Sequence, residues 1–188
     1  MSLSFFCPVC YNPNKTEGGV GVFRSGKQKI VTGIVFGIYC ALLIWLVLFK
    51  FSTSLCQLPS LRRINLIPFY YDQQTNTHLS EVLYNILVFV PLGVYLQIYR
   101  PNGKMLFKCL AVLLTGLTFE IIQFVFAIGA SDITDLLGNT LGGCLGIAIC
   151  LVMQRMMPKK WLSLINGLGI FIETVAVGLL VSLFIANH

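Results

Sequence analysis

Apolar residues run along this chain in five long blocks set apart by short polar stretches. The blocks cover residues 30–49, 81–99, 105–128, 132–153 and 162–186. Each is close to the ~20 mostly apolar residues that a helix needs to cross the hydrocarbon of a bilayer. The expected fold class is therefore all-α, an integral membrane bundle of about five transmembrane helices. A cleavable leader is the competing reading of the first block. Leader cores run about 7–15 residues, whereas this block begins at residue 30, is longer, and has no small-residue cleavage site after it. A retained anchor helix is the expectation.

Composition agrees. Of the 188 residues, 56% are hydrophobic and 11% are charged, against roughly 45–50% and about 25% in a soluble domain. One membrane domain absorbs this excess. Residues 1–29 form a cytoplasmic N-terminal tail, 30–153 a membrane domain of helices one to four with an outer loop over 50–80, and 154–188 a cytoplasmic loop with the fifth helix. The net charge of +6 does not point to nucleic acid, because the basic residues fall in clusters between the apolar blocks. Lys15, Arg24, Lys27, Lys29, Arg100, Lys104, Lys108, Arg155, Lys159 and Lys160 fall on one side; Lys50, Arg62 and Arg63 fall on the other. Lysine and arginine mark the cytoplasmic side. The N-terminus is thus placed inside, the C-terminus outside, and the chain in the plasma membrane as a multi-pass protein.

In the outer loop, Pro59 and Pro68 discourage a continuous helix. Leu66, Ile67, Phe69, Tyr70 and Tyr71 suit the headgroup zone, so the loop is expected to lie on or dip into the outer leaflet. Of the seven cysteines, Cys7 and Cys10 form a CPVC motif in the tail. A structural zinc site needs four ligands, and no second pair accompanies them, so reduced thiols are expected. Cys40, Cys56, Cys109, Cys144 and Cys150 lie in or beside apolar blocks, where they act as small hydrophobes. No metal and no cofactor is expected.

Candidate chemistry lies in polar residues at the outer halves of three helices. Glu81 and Asn85 open helix two, Glu120 and Gln123 lie toward the end of helix three, and Asp132, Asp135 and Asn139 open helix four. Spacings of three and four put each set on one helix face. Charges in a membrane helix cost roughly 2.5–3.5 kcal/mol each on insertion scales, and they turn toward the bundle interior or a wet cavity. Together with Arg62 and Arg63 from the loop above, these residues form the candidate outer polar pocket. Structural duties compete for the same side chains. Asp132 suits the N-cap of helix four and Asp135 the third position of a capping box; Asn85 and Asn139 suit interhelical hydrogen bonds. No capping duty is expected of Glu120. Glu173 stands apart near the middle of helix five, as a proton relay or a packing hydrogen bond. Gly138, Gly142 and Gly146 in helix four, and Gly33 and Gly37 in helix one, have the spacing of close helix approach.

Three blocks carry a family resemblance: NLIPF at 65–69, YNILVFVPLG at 84–93, and E-x-x-Q from Glu120 to Gln123 followed by SDITDLLGNTLGGCLG at 131–146. In order and spacing these resemble the VanZ-like family of bacterial membrane proteins, over roughly residues 30–153. The family pattern often has an arginine between the glutamine and the aspartates. Here that stretch reads FAIGAS at 126–131, without one, so either Arg62 or Arg63 substitutes for it or the pocket differs. The resemblance implies association with tolerance to teicoplanin and related lipoglycopeptides in Gram-positive bacteria, with no settled activity.

Three functions compete. The first is an envelope-modulating protein whose outer-leaflet pocket binds a lipid-linked cell-wall precursor or a lipoglycopeptide. The second is a membrane-embedded metal-dependent hydrolase or transferase on a lipid, since clustered carboxylates can hold Mg²⁺ or Ca²⁺ or act as an acid–base pair; no nucleophile motif or phosphate clamp supports it. The third is a small lipid transporter or scramblase, which five helices without inverted repeats fit poorly unless a homo-oligomer completes it. The expected partners are membrane lipids and the envelope ligand, with no catalytic residue assigned.

Overall fold

The computed structural model of the chain describes residues 22–23, 25–49, 61–65, 67 and 78–186. Five helices, each long and apolar enough to cross a membrane, occur in the order α1 (Gly26–Phe49), α2 (His78–Tyr99), α3 (Met105–Phe126), α4 (Ile133–Met156) and α5 (Trp161–Ala186). Two five-residue strands, β1 (Leu61–Asn65) and β2 (Ile128–Asp132), accompany them. The all-α membrane bundle expected from the apolar blocks is the architecture that forms. Cys7, Cys10, Lys15, Arg24, Lys50, Cys56 and the loop residues Pro59, Leu66 and 68–71 lie outside the described residues.

The helix ends follow local chemistry. α1 starts at Gly26, a turn before the apolar block, because the Ser25 hydroxyl accepts the Gln28 backbone N–H at 3.2 Å and caps it. α3 stops at Phe126, where Ala127 takes a left-handed conformation (φ 55°, ψ 37°) and sends the chain into β2. That conformation costs a non-glycine residue roughly 1–2 kcal/mol. Ala127→Gly is therefore expected to raise the unfolding midpoint in detergent by an amount equivalent to about 1 kcal/mol; an unchanged or lower midpoint would refute the strain.

Sidedness follows from short connections. α2 joins α3, and α4 joins α5, across tight turns, so neighbours in sequence run antiparallel. The described basic residues Lys27, Lys29, Arg100, Lys104, Lys108, Arg155, Lys159 and Lys160 consequently gather at one end of the bundle. Lys108 is also structural: its buried ammonium donates to the Gln97 side-chain oxygen and reaches the Pro101 carbonyl at 3.4 Å. The other end carries β1, β2 and the N-termini of α2 and α4.

Burial is distributed as in a membrane protein. Leu106, Phe107, Leu114 and Ile121 of α3 and Phe171, Ile172, Leu179 and Ile185 of α5 face outward, while Thr32, Gln97, Glu120, Gln123, Asn139 and Asn166 are buried. Lipid gives outward leucines no penalty and gives polar groups no partner, so polar side chains turn inward and bond across helices. The α1–α5 contact shows this: Asn166 donates to the Thr32 hydroxyl at 2.9 Å. Between α1 and α2, the Tyr39 hydroxyl donates to the Val88 carbonyl at 2.9 Å, and the Phe36 and Tyr95 rings lie 4.8 Å apart.

α2 and α4 form the most extensive interface. Their backbones touch because glycine lines it. A Cβ on Gly142 would collide with the Ile86 carbonyl, one on Gly146 with the Val90 carbonyl, and one on Gly93 with the Gly143 carbonyl. The close-approach expectation thus has a physical basis at Gly142 and Gly146, whereas a Cβ on Gly138 would meet Asn85 and Val82 only at 3.4 and 3.5 Å, ordinary van der Waals distances. For Gly33 and Gly37 it does not hold among the described residues. A Cβ on Gly37 would meet nothing within 4 Å, and one on Gly33 only the Tyr99 hydroxyl at 3.7 Å; α1 meets its neighbours through side chains instead.

β1 and β2 pair in parallel, from Leu61 opposite Ile128 to Asn65 opposite Asp132. This ladder was not foreseen. The described part of the loop is extended and tied to the α3–α4 junction.

Candidate functional site

The site is assembled at the end of the bundle where the three motif blocks meet. Asp132 caps α4, its carboxylate accepting the Thr134 N–H at 2.8 Å. Its second oxygen accepts from the Asn65 side-chain amide at 3.0 Å, and the Asn65 carbonyl in turn accepts the Ile67 N–H at 3.1 Å. A capping box would send the Asp135 carboxylate back to the Asp132 N–H. Here Glu120 takes that N–H at 3.1 Å from the neighbouring helix, and Asp135 instead accepts from the Asn85 amide at 2.7 Å. The expectation that Glu120 has no capping duty is thereby corrected. Helix pairing brings its carboxylate to the first turn of α4, which spacing along α3 alone does not reveal. Ser131 completes the junction, its hydroxyl donating to the Glu120 backbone carbonyl at 2.9 Å. Gln123 ties α3 to α1 by donating to the Val47 carbonyl at 2.9 Å.

Inside this scaffold lies a cleft of about 360 Å³, lined by Leu46, Val47, Ser80, Glu81, Tyr84, Asn85, Glu120, Gln123, Asp135 and Asn139. Six residues singled out from the sequence therefore share one cavity: Glu81, Asn85, Glu120, Gln123, Asp135 and Asn139. Sequence reading missed Ser80 and Tyr84. Tyr84 lies one helical turn from Glu81 and Ser80, and membership of that face was the signal available.

Asp132 was expected in the same pocket but faces a neighbouring groove of about 270 Å³, with Asn65, Leu117, Ile121, Phe124 and Leu136. Its capping bond holds the carboxylate at the start of α4 and away from the cleft. Glu120 lines both cavities. The backbone of Arg62 and Arg63 pairs with Gly129 and Ala130, alongside the stretch that lacks the family arginine; their side chains lie outside the described residues. Glu173 is buried in a separate groove between α1 and α5, with Val31, Ile34, Ile38 and Val177.

Two side-chain amide oxygens in the cleft lack hydrogen-bond partners among the described residues. The side-chain carbonyl oxygens of Gln123 and Asn139 are buried without a hydrogen bond, in residues only 2% and 1% exposed. A buried orphan acceptor costs ~1–3 kcal/mol and asks for a water or a ligand. Among the described residues, no three His, Cys, Asp or Glu side chains converge as a metal site requires.

The motifs that build this site have counterparts elsewhere. The sequence profile of the VanZ/LLP1 family matches residues 36–154, which takes in α1 from its third turn, nearly all of α4 and all the hydrogen bonds just described. The chain belongs to the VanZ/LLP1 family. Protein VanZ of Enterococcus faecium is 38% identical to it over 137 residues, which span 72% of this chain and 83% of that protein. No solved structure matches the chain. Asn65 and Asp132, 67 positions apart within the VanZ/LLP1 match, are hydrogen-bonded partners. α5 lies beyond the VanZ/LLP1 match, as does the Glu173 groove on its α5 side.

Proposed function

We propose that this protein is a plasma-membrane VanZ-like binding protein that contributes to tolerance of teicoplanin-type glycopeptides. Its cleft engages a lipid-linked envelope component or a lipoglycopeptide from the outer leaflet. One observation carries this reading: acids and amides from three helices line a single cavity and leave two buried acceptors for an occupant. The end of the bundle opposite the basic cluster bears that cavity. By the positive-inside rule this end faces outward, where lipid-linked precursors and glycopeptides meet the membrane.

The test is expression of the chain in a teicoplanin-susceptible Gram-positive host. Wild type is expected to raise the inhibitory concentration of teicoplanin. Glu120→Gln keeps an oxygen for the Asp132 N–H but removes the charge, and it is expected to abolish most of the gain at equal membrane abundance. Full tolerance in that variant would remove the cleft from the mechanism.

A further inference from the structure

Two cysteines from different helices touch through their sulfur atoms. The Cys144 thiol of α4 donates to the Cys109 sulfur of α3 at 3.1 Å. These residues stand 35 positions apart, each inside an apolar block, and nothing in their spacing pairs them. Gly143 explains how they meet. A Cβ there would overlap the Val112 side chain, so the missing side chain lets α3 come close to α4 at this level. Val112 lies three residues after Cys109, on the same helix face, and Cys144 follows Gly143 directly.

Both thiols are free and half-buried, whereas Cys150 is fully buried. Their neighbours Leu106 and Leu110 on α3, and Leu141 and Leu145 on α4, face outward from the bundle. The surroundings of the pair are therefore hydrocarbon, and a reagent dissolved in lipid has the shortest route to it. A disulfide needs sulfurs about 2.05 Å apart, so the pair has about 1 Å left to close.

The geometry points to a modification site: Cys109 and Cys144 form an intramembrane dithiol that a lipid-soluble quinone oxidises to a disulfide bridging α3 and α4. Two S–H bonds break and one S–S bond forms. The two electrons and two protons released reduce the quinone to its hydroquinone. The bridge joins the helix that carries Glu120 and Gln123 to the helix that carries Asp135 and Asn139. Oxidation thus fixes two walls of the cleft against each other, independently of what the cleft binds.

The test uses the full chain in nanodiscs under anaerobic conditions. Samples receive decylubiquinone, its hydroquinone, or oxidised glutathione as a water-soluble disulfide. Remaining thiols are blocked with N-ethylmaleimide, and the peptides are mapped by mass spectrometry. With the quinone, a Cys109–Cys144 linked peptide is expected, and dithiothreitol should restore both thiols. With the hydroquinone, both cysteines should carry maleimide. The oxidised chain is expected to unfold roughly 5 °C higher, as closing a loop of this length implies. Cys109→Ala and Cys144→Ala should each abolish that rise, and Cys150→Ala should retain it. Maleimide on both cysteines after quinone treatment, or a bond from either to a different cysteine, would overturn the dithiol. A Cys109–Cys144 bond without a higher midpoint would overturn the bracing of α3 against α4. Equal yield with oxidised glutathione would overturn the lipid route while sparing the bond.

Discussion

Gly146→Ala and Gly142→Ala are each expected to destabilise the bundle by about 3 kcal/mol, at the upper end of what overpacking costs. The added methyl groups would overlap the backbone carbonyls of Val90 and Ile86. A flexible side chain could swing aside, but the backbone of a packed helix cannot, so α2 and α4 must separate along their whole contact. That contact is the largest in the protein. It also carries the Asn85–Asp135 hydrogen bond, so the cleft should open as the helices part. Gly37→Ala and Gly167→Ala are the internal controls, because their added methyls meet nothing within 4 Å. Thermal unfolding of the purified chain in one detergent distinguishes the pairs. Equal midpoints for Gly146→Ala and Gly37→Ala would show that the α2–α4 backbones are not in contact.

Glu120→Ala is expected to damage fold and function together. Its carboxylate accepts the Asp132 N–H, and hydrogen bonds to charged groups contribute about 1.5–3 kcal/mol. Losing it strands a donor at the first turn of α4, beside the cap on Thr134 and the link to Asn65. The junction that holds β1 against β2 is expected to loosen, with faster proteolysis at β1 and an unfolding midpoint lower by the equivalent of about 2 kcal/mol. Glu120→Gln should unfold like wild type, because an amide oxygen can replace the lost acceptor. The two variants thus separate the charge that faces the cleft from the oxygen that holds the fold. Wild-type stability in Glu120→Ala would mean that the Asp132 N–H finds another partner, and the structural share of Glu120 would fall away.

The helices were legible in the sequence, with boundaries shifted by at most four residues, and at two ends a local cause is visible. Ser25 extended α1 backward, and the left-handed turn at Ala127 shortened α3. The strands were not legible. LRRIN and IGASD carry no alternation strong enough to announce β1 and β2, and their pairing depends on the α3–α4 junction being presented to the loop after α1. Of the site, the stripes on α2, α3 and α4 could be read from spacing, since residues three or four apart share a face. Asp132 was misplaced because spacing gives a face but not the cap that fixes the side chain.

The distribution of apolar and basic residues determined that this protein is a membrane bundle of five helices with one strongly basic end. Burying polar backbone in lipid leaves a long apolar run little choice but helix, and that constraint acts within each segment. The partition of the acids was left to tertiary structure: Glu120 and Asp135 face the cleft, Asp132 caps a helix, and Glu173 lies apart. Each outcome depends on which helix approaches which, and backbone contact at Gly142 and Gly146 sets that approach through atoms distant in sequence.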